Sequence, residues 1–379
     1  MRVLHVHERA GLHGGVEQIL YDTARGLRDM GWPQGLLHQD IEPDPDYLAA
    51  FDQASDHESI LEAFAPDVLF LHKFEQVDKI RHLAERYPTV RMVHDHDLVC
   101  LRRHKYFPVS TRVCDRPAGI DCYLHLCFIQ RAGPGSLLPI TLRGVGERRR
   151  AILAHESVRR FLVGSEWMRR ELAVNGIPND RIDIVPPIPA ALGALQANPP
   201  SSTPEILFVG QVIRGKGVDL LLQALAQVPP PWHATVIGTG NHLESCVKLA
   251  QELKIEERVH FAGWVPHREL TSFYTNAALT VVPSRWPEPF GMVGIEAMAR
   301  GRPVVGFAVG GIPDWLEDGV TGLLVPEADT GAMAHAIDRL LRNNELRAEF
   351  GEAAVRRVRE RYQPQVYLQR LMQILESAL

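Results

Sequence analysis

The sequence predicts an α/β protein built as two doubly wound, Rossmann-like domains facing a central cleft, and three observations carry that reading. The chain has 379 residues, more than one hydrophobic core usually serves, so two domains are expected. Short apolar, β-rich runs alternate with helix-period stretches from end to end, the mark of βα units around parallel sheets. The alternation occurs twice, on either side of PPIPAALGALQANPPSSTPE at 186–205, whose proline and serine content suits a semi-rigid linker. Open parallel sheets bind ligands beyond the carboxyl ends of their strands, so two such domains can enclose a site for two substrates.

In the first half, strands are expected at Val3–Val6, Val68–Leu71, Val90–Val93, Phe161–Val163 and Ile182–Val185, with helical periodicity over Val16–Met30 and from Gly146 onward. In the second half they are expected at Ile206–Val209, Ala234–Ile237, Val259–Ala262, Leu279–Val282, Val304–Phe307 and Leu323–Val325. The domains are expected at 1–190 and 201–361, with a closing helix over 362–379 that packs back on the first.

Hydrophobic residues make up 45% of the chain and charged residues 23%, a globular balance, and no apolar run reaches the roughly 18 residues a membrane-spanning helix needs. MRVLHVHERAGLHGG reads directly as a first strand rather than a secretory signal, so a cytoplasmic location is expected. The net charge of −5 hides an acidic stretch over 1–98 and an arginine-rich one over 100–181, including Arg102, Arg103, Arg148, Arg149 and Arg150. Such a region either meets an anionic acceptor or the inner face of a membrane, or is a solvated helix face. Nucleic acid is not expected as a partner, because no nucleic-acid motif accompanies the arginines.

The richest segment is SRWPEPFGMVGIEAMARGRPVV at 284–305. A strand ends, a proline-bounded loop follows, and a helix opens near Gly291. Glu288 then stands at the helix mouth and Glu296 more than a turn inside, so both can address one cleft at different depths. Carboxylates accept hydrogen bonds from vicinal hydroxyls. The amides of Phe290, Gly291 and Met292 at the start of a helix suit a phosphate. The plain alternative is a capping glutamate on an ordinary helix. A second segment, LFVGQVIRGKGVDLLLQAL at 207–225, runs from a strand through a loop with Gly210, Gly215 and Gly217 into a helix, and Lys216 offers a mobile charge for a diphosphate.

The stretch EPFGMVGIEAMARGRPVV resembles the E-x7-E motif of glycosyltransferase family four, the large retaining family of GT-B fold. The resemblance implies a donor nucleoside diphosphate sugar, with uridine favoured, and transfer of a hexosyl group to a hydroxyl on a glycan, a lipid-linked intermediate or a small molecule. It assigns Glu288 to the transferred sugar and Glu296 to the ribose. The Gly210–Gly217 loop is similar to the family's diphosphate site, with one departure: Gln211 stands where the family usually has arginine, and Arg214 is the substitute. The loops beginning at Gly238 and Phe261 fall to the nucleotide pocket, with backbone near Val265 reading the base. Trp264 is read as a core side chain, or else as packing beside the base. Gly310, Gly311 and Ile312 fall near the sugar.

In the first half, Gly14 and Gly15 open a helix whose amides suit a donor phosphate or an acceptor, or simply make a tight turn. His94, in RMVHDHDLVC, matches the family's active-site histidine at a strand end. The chemistry so implied is front-side transfer with retention, in which the departing diphosphate helps deprotonate the acceptor and Lys216, Arg214 and helix amides meet its charge; no metal is expected for the reaction itself. Two rival readings share the pattern: another GT-B enzyme, such as a nucleotide-sugar 2-epimerase or a phosphorylase, and a non-catalytic nucleotide-sugar-binding protein.

Cys100, Cys114, Cys122 and Cys127 crowd one irregular stretch, while Cys246 stands apart. In a reducing compartment, four clustered thiols suggest a structural zinc, with His104 or His125 able to replace one, although unligated cysteines fit the spacing as well. A subset of family four resembles this chain in carrying such an insert.

Overall fold

The computed structural model describes residues 1–74, 76–131, 140–193 and 204–379; the middle of the expected linker, 194–203, lies outside them. The chain divides into two compact units, one of Met1–Ser110, Cys114–Ala191 and Pro364–Leu379, the other of Thr111–Val113 and Leu192–Gln363.

The first unit is built on β1 (Val3–Val6), β2 (Gln34–Leu37), β3 (Gln53–Ser55), β4 (Val68–Leu71) and β5 (Thr89–Val93), interrupted by a two-stranded antiparallel hairpin, β6 (Ile129–Arg131) with β7 (Ile140–Leu142), and completed by β8 (Arg160–Val163) and β9 (Ile182–Ile184). Seven of these form a parallel sheet in the order β3-β2-β1-β4-β5-β8-β9. Helices cover both faces, because strands such as β1 and β4 are buried at every position and need apolar cover on either side. The last helix, Pro364–Ser377, belongs to this unit: Tyr367 Oη sits 2.9 Å from Thr23 Oγ1, and Leu368 packs over Gly26.

The second unit carries β10 (Glu205–Val209), β11 (His233–Ile237), β12 (Val259–Gly263), β13 (Leu279–Val282), β14 (Val304–Phe307) and β15 (Gly322–Val325) in the parallel order β12-β11-β10-β13-β14-β15. In this doubly wound order the sheet reverses direction of winding between β10 and β13, which opens a crevice beyond their carboxyl ends. The two loops that leave those strands carry Lys216 and Glu288.

Every expected strand is present. β2 and β3, at the edge of the first sheet, and the β6–β7 hairpin were not anticipated. β2 is broken in sequence by Gly35, whose missing Cβ leaves room for Leu4 and Phe64, and β3 is only three residues long. No helix among the described residues is long and apolar enough to cross a membrane.

Candidate active site

In the second unit, the loop after β10 and the loop after β13 meet. Lys216 Nζ lies 2.7 and 2.9 Å from the two oxygens of Glu288, and Ser284 Oγ donates to Glu288 Oε1 at 2.5 Å. Backbone contacts reinforce the junction, since Trp286 N donates to the Gly215 carbonyl at 2.9 Å. Gly217 lies in the left-handed region at φ 72°, and a Cβ there would overlap the carbonyl oxygen of Pro283. The third loop, after β14, closes on the backbone of the same residue: Gly311 N donates to the Glu288 carbonyl at 2.7 Å, and a Cβ on Gly310, at φ 57°, would strike the Glu288 backbone. The close approach of these three loops requires residues without side chains.

Glu288 is therefore a buried carboxylate, 5% exposed, held by one ammonium and one hydroxyl. Arg214 is exposed, and its carbonyl is bound by Arg285, which also makes a two-pronged ion pair with Asp219 at 2.9 and 3.0 Å. Arg285 and Asp219 anchor the loop from beneath, and neither was singled out in the sequence, although an arginine directly after a strand-end serine was a usable signal. Gln211, earlier in the same loop, is exposed. Gly238, after β11, lies against the Gly210 carbonyl.

The helix Met292–Ala299 opens at Gly291 with no side-chain cap, so its first amides point out of the helix without an intrahelical acceptor. Phe290 is buried and its carbonyl accepts from Trp315 Nε1 at 2.6 Å, which fixes the turn. Glu296, one turn deeper, is also 5% exposed; it accepts from Tyr274 Oη at 2.9 Å and faces His267 Nε2 at 3.3 Å. Burial and the adjacent Glu296 push the Tyr274 phenol well above its ordinary range, so it stays a donor. His267 follows Val265 by two residues, which brings the β12 loop to the second glutamate. Trp264 departs from the core placement expected of it: it is 71% exposed, because the chain leaves β12 at Gly263 and turns outward before the next buried position, Leu270.

In the first unit, His94 follows β5 and Gly14 caps the helix Gly15–Asp29 through its backbone alone. Gly14 and Gly15 are exposed, but the helix mouth already holds a carboxylate. Burial pulls Glu17 upward, yet the hydrogen bond from His7, its own backbone amide and Arg9 outweigh that and hold it below the ordinary carboxylate range. A standing negative charge there favours a neutral hydroxyl over a phosphate as the group that docks. Half-buried His94 joins the buried rings of His72 and His5 in a row, with ring nitrogens 3.0 Å apart at each step. Burial, with His7 and Arg91 adding and Asp97 and Glu17 opposing, lowers His94 to about 3. Neither His5 nor His72 was singled out, although a histidine inside an otherwise apolar strand run is itself a signal of a buried polar partner.

The zinc expectation finds no support in the side-chain geometry. No three or more His, Cys, Asp or Glu side chains among the described residues are grouped to hold a metal ion. All four thiols are free; Cys114 Sγ turns to the Arg116 carbonyl at 3.8 Å and Cys127 Sγ to the His125 carbonyl at 3.9 Å. Burial raises the metal-free thiols of Cys114, Cys122 and Cys127, the last to about 12.

Comparison with known proteins agrees with this geometry. Residues 196–357 match the family model described as "Glycosyl transferases group 1". The D-inositol 3-phosphate glycosyltransferase of Mycobacterium sp. (strain KMS) is 37% identical over 216 residues, 53% of this chain and 48% of that enzyme, so the chain spans about half the length of the curated relatives it matches. Among solved structures, sucrose-phosphate synthase from Thermosynechococcus elongatus superposes with a TM-score of 0.75 at 20% identity, covering 100% of this chain and 98% of that one. Anabaena HepE in complex with UDP-glucose superposes with a TM-score of 0.74 at 18% identity, covering both chains fully. The fold is thus GT-B, two Rossmann-like domains, and residues 196–357 carry the likeness to the group 1 glycosyl transferases.

Proposed function

We propose that this chain is a retaining glycosyltransferase that moves a hexosyl group from a nucleoside diphosphate sugar, with UDP-sugar favoured, to a hydroxyl acceptor. The observation that carries the reading is the convergence of Lys216, Glu288 and the glycine loops at the winding reversal between β10 and β13. A cation, uncapped helix amides and a carboxylate at one spot match the needs of a diphosphate joined to a polyhydroxylated ring.

In the reaction the bond from the anomeric carbon to the diphosphate oxygen breaks, and a bond to the acceptor oxygen forms on the same face. The acceptor proton passes to the departing diphosphate. Lys216, Arg214 and the amides of Gly291 and Met292 receive the leaving charge. Glu288 accepts from hydroxyls of the moving sugar while steering Lys216, and Glu296 accepts from the ribose with the oxygen that His267 engages at only 3.3 Å. Gly215 and Gly238 line the diphosphate side, backbone near Val265 meets the base, and exposed Trp264 flanks it. His94 and the Gly14–Gly15 turn serve the sugar and the acceptor. HepE binds UDP-glucose in its crystal, which supports uridine here.

A lipid-linked acceptor at the inner face of a membrane is the favoured acceptor class. Ile120, Leu124 and Leu142, 71%, 71% and 65% exposed, lie in the arginine-rich region with Arg116 and Arg143, and exposed apolar side chains flanked by cations suit an anionic lipid surface.

Release of nucleoside diphosphate from UDP-glucose, UDP-galactose and their GDP counterparts, measured with and without hydroxyl acceptors, tests the reading, with NMR of the product reporting its anomeric configuration. Acceptor-dependent release with retention is expected. Turnover without acceptor would replace it with an epimerase, and donor binding without turnover would leave a binding protein.

A further inference from the structure

A row of buried side chains crosses the first sheet. His5 Nε2 lies 2.8 Å from Gln34 Oε1, His5 Nδ1 lies 3.0 Å from His72 Nε2, and His72 Nδ1 lies 3.0 Å from His94 Nε2. Ring planes at the two imidazole contacts are within 15° and 20° of parallel. Each such contact joins two ring nitrogens, so one must carry the proton and the other the lone pair. A neutral imidazole has one proton, so donation must run in the same sense along the whole row. The group at its end selects that sense.

Gln34, fully buried, is that group. Its Nε2 donates to the Trp32 carbonyl at 2.8 Å and the Pro33 carbonyl at 3.2 Å. The reversed amide would set its oxygen against two carbonyl oxygens and lose both bonds. Gln34 Oε1 is therefore presented to His5, which donates from Nε2 and accepts at Nδ1. The same assignment passes to His72 and then to His94.

We infer that Gln34, His5 and His72 are positioning residues that fix His94 as its Nε2–H tautomer and present its bare Nδ1 as a hydrogen-bond acceptor to a ligand hydroxyl. The inference rests on the proposed place of His94 at the sugar site. Among the described residues nothing donates to His94 Nδ1. The nearby charged groups are otherwise engaged: Arg91 binds Asp97 at 2.9 Å and also His155, while His7 pairs with Glu17 and accepts from Lys73 N.

Burial keeps all three rings neutral, with His5 lowered to about 4 and His94 to about 3. A ring held so weakly basic cannot serve as a general base near neutral pH. It can serve as an oriented acceptor, discriminating a ligand that offers a hydroxyl at that point from one that does not.

The test is long-range 1H–15N correlation NMR on the full chain with labelled histidine, assigned by single substitutions. Wild-type protein should show pyrrole-type Nε2 and pyridine-type Nδ1 signals for His5, His72 and His94, unchanged from about pH 8 to about pH 5. Gln34→Met removes the acceptor, and an orphaned buried N–H is worse tolerated than an orphaned lone pair, so the row should reverse or average and the two His94 signals should exchange or merge. The donor KM should then rise about two-fold or more, since half-population of the competent tautomer halves affinity, with kcat little changed. Gln34→Glu, whose carboxyl still accepts from His5, should restore both the wild-type tautomer and the wild-type KM. A Nδ1–H tautomer of His94 in the wild type, or in the Gln34→Glu variant should Gln34→Met not fold, overturns the inference, as does an unaltered His94 in folded Gln34→Met. His94→Ala separates the two layers: unchanged kinetics in that variant, with the expected tautomers in the wild type, would remove His94 from the sugar site and leave the row standing.

Discussion

The Lys216–Glu288 pair makes an asymmetric prediction. Replacing Lys216 with methionine leaves the Glu288 carboxylate, 7% exposed at the side chain, with the Ser284 hydroxyl as its remaining side-chain donor. Replacing Glu288 with glutamine leaves an ammonium that is 27% exposed and free to swing into water. A charge-assisted hydrogen bond contributes about 1.5–3 kcal/mol, and orphaning a fully buried charge costs about 3–5 kcal/mol. Glu288 is nearly buried and retains one donor, which places Lys216→Met at roughly 2–3 kcal/mol, whereas Glu288→Gln should cost about 1 kcal/mol or less. In the double variant the orphaned carboxylate is gone, so its cost should fall below that of Lys216→Met alone, a coupling of about 1–3 kcal/mol. Urea unfolding followed by tryptophan fluorescence can read this in the second unit, which holds Trp232, Trp264, Trp286 and Trp315. Both single variants should lose most transfer, because each removes a group that the proposed function sets on the diphosphate or the sugar. Equal single costs, or additivity within about 0.5 kcal/mol, would show that the pair is a crossing of two side chains rather than a compensated buried charge.

Gly217→Ala should destabilise the second unit by about 3 kcal/mol or more and abolish donor binding, checked by calorimetric melting and donor titration, because it adds both a clash with Pro283 and a left-handed penalty. Gly294→Ala, whose Cβ would enter the Trp315 ring, should lower the melting temperature with a tryptophan spectral shift. Acid should unfold the first unit early. His5 is held at about 4 against an ordinary 6.5, so the unfolded chain binds its proton first and the stability present above pH 6.5 is lost as pH falls toward 4. That loss is about 2 kcal/mol by pH 5 from His5 alone, with His72 acting in the same direction and half-buried His94 adding less; melts across pH 4–8 would expose a flat profile as the contrary result. Five thiols should titrate in denatured, unreduced protein with zinc far below one per chain, and one zinc per chain would reinstate the metal reading.

What the sequence disclosed and what it concealed follow from the range of the interactions involved. The segments around Lys216 and Glu288 were legible because their features are local: a glycine where backbones touch, a carboxylate at a helix mouth, and an uncapped first turn. Each is written within a short run of consecutive residues. The fully buried strands of the two sheet centres were legible for the same reason, whereas β2 and β3 lie toward a sheet edge, where pairing rather than composition makes them strands. Trp264 misled because a large aromatic is usually buried, and nothing local records that the chain turns outward after Gly263. The zinc reading rested on spacing, which says which thiols are near one another in the chain, but not where each sulfur points.

The histidine row lies at the far end of this scale. His5 and His72 are separated by 67 residues, His72 and His94 by 22, and Gln34 from His5 by 29. They meet because the doubly wound order places β1 between β2 and β4, and β4 beside β5. Each residue read singly is a polar intruder in or beside an apolar strand, a local conflict that costs stability unless satisfied. Four such conflicts resolved by one another, in a row ending at the residue matched to the sugar site, are a polar network whose direction one buried amide decides. The stability lost in burying them is regained only if every member is paired. Single substitutions within the row, His5→Phe included, should therefore be non-additive and should move the His94 tautomer even when they lie two rings away from it.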